Sequence, residues 1–282
     1  NRRLTRRRSA DFAHVPGWPI AYWTSEAALS AFRSHESLDK WFFSEGPCKT
    51  GKDESYLRLH WEVSRGKSGD AADWCLCSKG GAFRKHFGNI EHVILWTAAA
   101  REHYRHDRIS RITPEHVWAC DGITWTIVTS KATSSFRSLP AGVRFNSVSP
   151  AIFPRPGFDS DRSALLALLN SAVANHLLGI MNPTLAMNVG NVLALPVVPT
   201  ALAAITNYEE VLLIAKADWD NFETSWDFQD LPLLRRSTKR ATLAATWNVW
   251  SEACTATHQR MQSLETENNR IFIAAYGLDG EL

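Results

Sequence analysis

The chain has 282 residues and a mass of 31.6 kDa, with 45% hydrophobic and 21% charged residues, so it buries a sizeable core and is not a disordered tail. Its net charge of +2 hides a division near Gly157: residues 1–157 carry 23 basic and 15 acidic side chains, and residues 158–282 carry 8 and 14. There is no run of 18 apolar residues to span a membrane, no G-x-G nucleotide fingerprint and no C-x-x-C pair, and the five scattered cysteines fit a reducing cytoplasm without disulfides or a zinc site.

Residues 1–13, with Arg2, Arg3, Arg6, Arg7 and Arg8, read as a basic arm or the end of an upstream domain. No apolar segment follows the arginines, which excludes a secretory signal, and an opening Asn1 in place of methionine suggests a piece of a longer protein. Pro16-Gly17-Trp18-Pro19 reads as a turn and Ile20-Ala21-Tyr22-Trp23 as a short strand. Thr24 or Ser25 is a reasonable N-cap for a helix over 26–37, with Ala28, Leu29 and Phe32 facing inward.

Gly46-Pro47-Cys48-Lys49-Thr50-Gly51-Lys52-Asp53 nearly matches a P-loop, but Asp53 stands where a magnesium-holding Ser or Thr is needed. The segment reads as a basic turn, able to contact phosphate through its backbone, and not as a nucleotide hydrolase. Short β-like runs follow at 56–63, 72–77, 93–96, 122–128, 145–148 and 151–153, separated by Gly, Pro, Ser and Asn clusters. Between two of them, residues 78–89 (Ser-Lys-Gly-Gly-Ala-Phe-Arg-Lys-His-Phe-Gly-Asn) form a mobile cationic loop. His103 and His106 share one face of a polar helix, and no third ligand at metal spacing accompanies them. The eight tryptophans of residues 1–157 are mostly expected in the core.

Helical period returns at Asp161 and runs through Leu165, Leu169, Val173, Leu177 and Ile180 to a stop at Asn182-Pro183. Residues 189–199 read as a last strand, followed by a helix over 207–228. A second helix over about 237–277 carries Leu243, Trp247, Trp250, Cys254, Thr257, Met261, Leu264, Asn268 and Ile271 at heptad spacing. At about 1.5 Å per residue, forty helical residues give a rod of roughly 60 Å, long enough for a spacer.

Several words of this sequence also resemble one segment of the PglX family, the adenine-specific DNA methyltransferases of BREX phage-defence systems. They run in family order: Pro16-Gly17-Trp18-Pro19-Ile20-Ala21-Tyr22-Trp23, Tyr56-Leu57-Arg58-Leu59-His60-Trp61-Glu62-Val63, Lys79-Gly80-Gly81-Ala82-Phe83-Arg84-Lys85, Leu168-Leu169-Asn170-Ser171, Met181-Asn182-Pro183-Thr184-Leu185 and Phe222-Glu223-Thr224-Ser225-Trp226-Asp227-Phe228. Cys75-Leu76-Cys77-Ser78 departs from the relatives, which carry more aromatic or polar residues there. The ending of the leucine-rich unit is also similar to recognition domains of type I specificity subunits.

The resemblance implies an α+β chain: a β-rich target-recognition domain over 14–200 with packed helices, then a long antiparallel helical hairpin or coiled-coil spacer over 201–282. Catalysis, with S-adenosylmethionine and an N-P-P-Y motif, is expected elsewhere in the parent protein, because this chain has no double proline and no catalytic motif of its own. The expected partners are double-stranded DNA, the parent's catalytic domain and other BREX components or phage DNA-mimic inhibitors, with no membrane. Candidate DNA contacts are Lys49, Thr50 and Lys52 in the first turn, and Lys79, Gly80, Gly81, Arg84, Lys85 and Asn89 in the glycine loop. The alternative is a protein-docking module whose acidic helices are the binding surface.

Overall fold

The structure is a computed structural model that describes residues 8–69, 72–128, 135–158, 161–182 and 184–282; most of the arginine-rich arm therefore lies outside the described residues. In chain order the helices are α1 (Ser9–Phe12), α2 (Glu26–Ser34), α3 (Asp53–Tyr56), α4 (Ala98–His106), α5 (Arg162–Leu169), α6 (Ala172–Met181), α7 (Val189–Leu193), α8 (Pro199–Ala203), α9 (Tyr208–Trp219) and α10 (Leu243–Ala275). The strands are β1 (Glu36–Ser37), β2 (Phe42–Phe43), β3 (Leu57–Leu59), β4 (Trp74–Ser78), β5 (His92–Leu95), β6 (Gly122–Trp125), β7 (Phe136–Leu139), β8 (Arg144–Phe145), β9 (Ala151–Pro154) and β10 (Pro196–Val197). The chain is α+β, and among the described residues no single helix is long and apolar enough to cross a membrane.

One four-stranded sheet, ordered β2-β9-β6-β7, is antiparallel throughout and carries Ile123, Trp125, Phe136 and Ile152 into the main core. The other, β3-β5-β4-β8, is antiparallel except for the parallel β4–β8 pair. It covers a separate cluster of Cys48, Leu57, Cys75, Cys77, Ile94, Trp96 and Tyr104. A ribbon of β1 and β10 joins the early chain to the helical half.

Several elements differ from the sequence reading, each for a local reason. Ser25, not Thr24, caps α2, accepting the Ala28 N–H at 3.0 Å. That helix stops at Ser34 because Glu36 and Ser37 pair with Val197 and Pro196. Residues 20–23 are not a strand: Ile20, Tyr22 and Trp23 are exposed, as is Trp18. The leucine-rich helix is two, bent by 67° at Asn170-Ser171. There the Asn170 side chain pairs with both backbone groups of Phe136, at 3.0 Å each, while Ser171 Oγ caps Ala174 N at 3.1 Å. Residues 189–199 form a helical turn and a two-residue strand in place of one longer strand.

The C-terminal helices do not form the expected coiled coil. Helix α10 pairs antiparallel with α9 only across the shorter α9, as the Asn207–Glu267 and Glu210–Arg260 contacts show. On the expected seam Leu243, Trp247, Cys254 and Thr257 are exposed. Further along, Leu264, Phe272, Tyr276 and Leu278 are buried in the same core as Leu29, Trp125 and Leu177.

Candidate nucleic-acid interface

The turn at 46–53 is built from long-range backbone pairing. Cys48 N donates to Phe145 O at 2.9 Å, and Lys49 and Arg111 exchange two backbone bonds of 2.8 and 2.9 Å. Only the one-turn α3 follows, so the strand-loop-helix of a P-loop is not formed. Asp53 receives the Thr50 hydroxyl at 2.6 Å and the Lys79 ammonium at 2.7 Å. Burial opposes its charge, but the Lys79 and Thr50 hydrogen bonds outweigh that and hold its carboxyl below the usual range. Thr50 is buried, and its carbonyl accepts His103 Nε2 at 3.0 Å, so its place is structural.

This pairing sets Lys49 beside Arg111, and the packing of Gly51 against Asp107, Ile109 and Ser110 brings the neighbouring Lys52 and Arg108 segments together. All four are exposed, and none has a carboxylate partner among the described residues. Beside them lies a cavity of about 260 Å³ whose walls include Lys49, Gly51, Asp53, Ile109, Asn146 and Ser147, with Cys48 and Cys77 behind. Arg108 and Arg111 are not among the sequence-based candidates; the 49–111 pairing, across 62 residues, and the Ser110 hydroxyl on Thr50 O bring their segment to the turn.

The glycine loop is arranged differently from the free cationic loop that its composition suggests. Lys79 pairs with Asp53, Arg84 with Asp218, and Lys85 with Glu265 at 3.2 Å. The Arg84 guanidinium lies 4.9 Å above the Trp219 ring and donates from Nε to Phe87 O at 3.1 Å. Gly88 permits this: a Cβ there would stand 2.6 Å from Arg84 Cδ and 2.9 Å from the Trp219 ring. Asn89 is buried, with its amide donating to Ala82 O at 2.7 Å. Alanine at Lys79 and Arg84 therefore removes internal contacts as well as surface charge. Gly80 and Gly81 both adopt positive φ and leave the tip at Gly81 and Ala82 exposed. Behind the loop, a cleft of about 910 Å³ opens between α9 and α10, lined by Leu213, Ile214, Trp250, Thr257 and Met261.

His86, which composition alone did not single out, anchors the loop. It is buried, its Nδ1 lies 2.7 Å from the Tyr208 hydroxyl, and its Nε2 lies 2.8 Å from Glu265. Burial would raise the Glu265 pKa, but the His86 hydrogen bond and the Lys85 charge bring it down to about 2. An ionised Glu265 only accepts, so Nε2 carries the proton and Nδ1 accepts from Tyr208. Burial lowers the His86 pKa against the pull of Glu265.

The pH dependence follows with its sign. The unfolded chain protonates this histidine near its ordinary value of about 6.5 while the folded one resists, so stability falls as pH drops through that value. A second loss follows as pH falls from the ordinary glutamate range toward 2, where Glu265 must take a proton. Urea midpoints should fall between pH 8 and about pH 2, and Glu265→Gln should flatten the limb below about pH 4.5 by on the order of 1–2 kcal/mol. An acid limb unchanged in that variant would show that the pair does not contribute.

No family model matches the chain. It is 30% identical over 300 residues to the adenine-specific methyltransferase PglX of Lacticaseibacillus casei (strain Zhang), an alignment covering 98% of this chain and 24% of the relative. It is 31% identical over 234 residues to the adenine-specific methyltransferase BrxX of Escherichia coli O9:H4 (strain HS), covering 79% of this chain and 18% of that protein. The chain thus spans about a quarter or less of the length of these relatives. Among solved structures, the Type IIL restriction-modification enzyme MmeI in complex with DNA superposes with a TM-score of 0.49 and 12% identity, over 84% of this chain and 33% of that one.

Proposed function

We propose that this chain, homologous to a segment of the PglX and BrxX adenine-specific methyltransferases, is the segment that recognises double-stranded DNA for a site-specific adenine-N6 methyltransferase in phage defence. The observation that carries the reading is the group of four exposed cations, Lys49, Lys52, Arg108 and Arg111, next to a cavity of mixed polar and apolar lining that Lys49 borders. Cations without internal partners neutralise phosphates and release counterions, and arginine or asparagine beside them can read base edges. Asn146, Arg108 and Arg111 are the side chains of this region suited to that reading.

Methyl transfer is assigned to the rest of the parent protein. This chain has no G-x-G turn to hold S-adenosylmethionine and no N-P-P-Y motif. The parent's catalytic domain is then the principal protein partner, with other BREX components beyond it, and the setting is the cytoplasm. In the alternative, the acidic helices would be the docking surface. Their carboxylates are largely paired internally: Asp218 with Arg84, Glu265 with Lys85, Glu210 with Arg260, and both Asp220 and Asp227 with Lys216. That pairing favours the DNA reading.

A salt titration with a labelled duplex tests it. Four phosphate contacts predict a log–log slope of about −3.6, equivalent to roughly a hundredfold loss of affinity between 50 and 200 mM salt. Absence of duplex binding at 50 mM salt would sink the proposal.

A further inference from the structure

Arg137 lies at the centre of a fully buried strand, β7, and is itself 0% exposed. It has no carboxylate partner among the described residues, and its Nε has no hydrogen-bond partner. Burial lowers its pKa, with the neighbouring Arg84 charge adding to the effect, to about 10, so it remains charged at neutral pH. A buried cation without a counter-ion is costly, and a native structure that keeps one invites a functional explanation.

The guanidinium points into the glycine loop. Its Nη1 donates to Arg84 O at 3.3 Å, and its Nη2 donates to Thr126 Oγ1 at 3.2 Å, which in turn donates to Gly81 O at 3.3 Å. Asn89 holds Ala82 O. The carbonyls of Gly81, Ala82 and Arg84 are thus occupied from beneath, whereas the N–H groups of Gly81 and Ala82, at the exposed tip, have no acceptor among the described residues. Gly81 is exposed and adopts φ 123°, and glycine is required there because a Cβ would stand 2.9 Å from the buried Asn89 side chain that holds Ala82 O. Successive free amides in such a turn make an anion-binding concavity.

Charge points the same way. Lys79, Arg84 and Lys85 are matched by Asp53, Asp218 and Glu265, which leaves Arg137 as the surplus charge under the loop. We propose that the amides of Gly81 and Ala82 hold one phosphodiester of the bound duplex, with Arg137 acting from beneath as a positioning residue that supplies the compensating charge. The proposal rests on the DNA reading above and names one contact within it. The site is separate from the four exposed cations, so the two can fail independently.

The test follows the backbone amide shifts of Gly81 and Ala82 during titration, with inorganic phosphate and with duplex DNA, alongside Arg137→Met and Arg137→Lys. Both ligands should shift these amides. Arg137→Met should bind duplex about tenfold more weakly and reduce the salt slope by about 1, with Arg137→Lys recovering most of the affinity. Unmoved amides with duplex bound overturn the proposal, as does a folded Arg137→Met with wild-type affinity and slope. Shifts with phosphate alone, and none with duplex, overturn the phosphodiester assignment. If Arg137→Met does not fold, the wild-type shifts and the salt slope of Arg137→Lys decide. If no duplex binds, the functional reading fails, and the phosphate titration alone decides the anion site.

Discussion

Replacing Lys49, Lys52, Arg108 and Arg111 together by alanine is expected to weaken duplex binding on the order of a hundredfold and to remove about 3 to 4 from the log–log salt slope. The large effect follows from the lack of internal partners: among the described residues no carboxylate pairs with these four groups in competition with phosphate. The fold should tolerate the change. Lys49 and Arg111 hold the turn through backbone N–H and C=O groups, which alanine keeps, and all four side chains are exposed. The comparison that gives the result meaning is Lys79→Ala with Arg84→Ala, which breaks two ion pairs and the stacking on Trp219. That double variant should lower the urea midpoint as well as any affinity. Affinity and salt slope measured on the folded quadruple variant decide the matter, and wild-type values for both would place the DNA surface elsewhere.

The cation pairing also shows where sequence reading stops. Local signals were legible: the Ser25 cap, the glycine turn near residue 80, the strand cores around Leu57, Trp74, Val93, Ile123 and Ile152, and the C-terminal stop at Gly277, which adopts φ 65°. Strand β7 was not, because Phe136-Arg137-Ser138-Leu139 puts a cation and a hydroxyl where a buried strand should read apolar. The break between α5 and α6 was hidden because leucine spacing continues on both sides, and Asn170 acts through a bond to Phe136, 34 residues away. Composition made Lys79, Arg84 and Lys85 look available. Their partners Asp53, Asp218 and Glu265 lie 26, 134 and 180 residues distant, so only the folded chain separates paired cations from free ones.

Helix α10 offers the second large effect, Phe272→Ala, which should destabilise the chain by about 3–5 kcal/mol. Phe272 is 0% exposed and shares a core with Trp125 of β6, Leu166 of α5 and Leu177 of α6. Polar contacts tie the same half of the helix inward. Asn269 accepts the first N–H of α6 from Ala172 at 2.8 Å, and the Tyr276 hydroxyl donates to Pro196 O at 2.7 Å. Trp247 lies near the other end of this 33-residue helix and is 56% exposed, so Trp247→Ala should shift stability by no more than about 0.5 kcal/mol. A spacer that only stood beyond the recognition unit would show two similarly small values. Helix α10 also holds Lys85 and His86 through Glu265, seven residues before Phe272, so loosening its inner half should release the glycine loop. Phe272→Ala should therefore lower hydrogen-exchange protection at residues 86–88 along with the urea midpoint. Trp247→Ala should leave both unchanged, and equal midpoints for the two variants would mean that α10 serves as a spacer and does not brace the recognition fold.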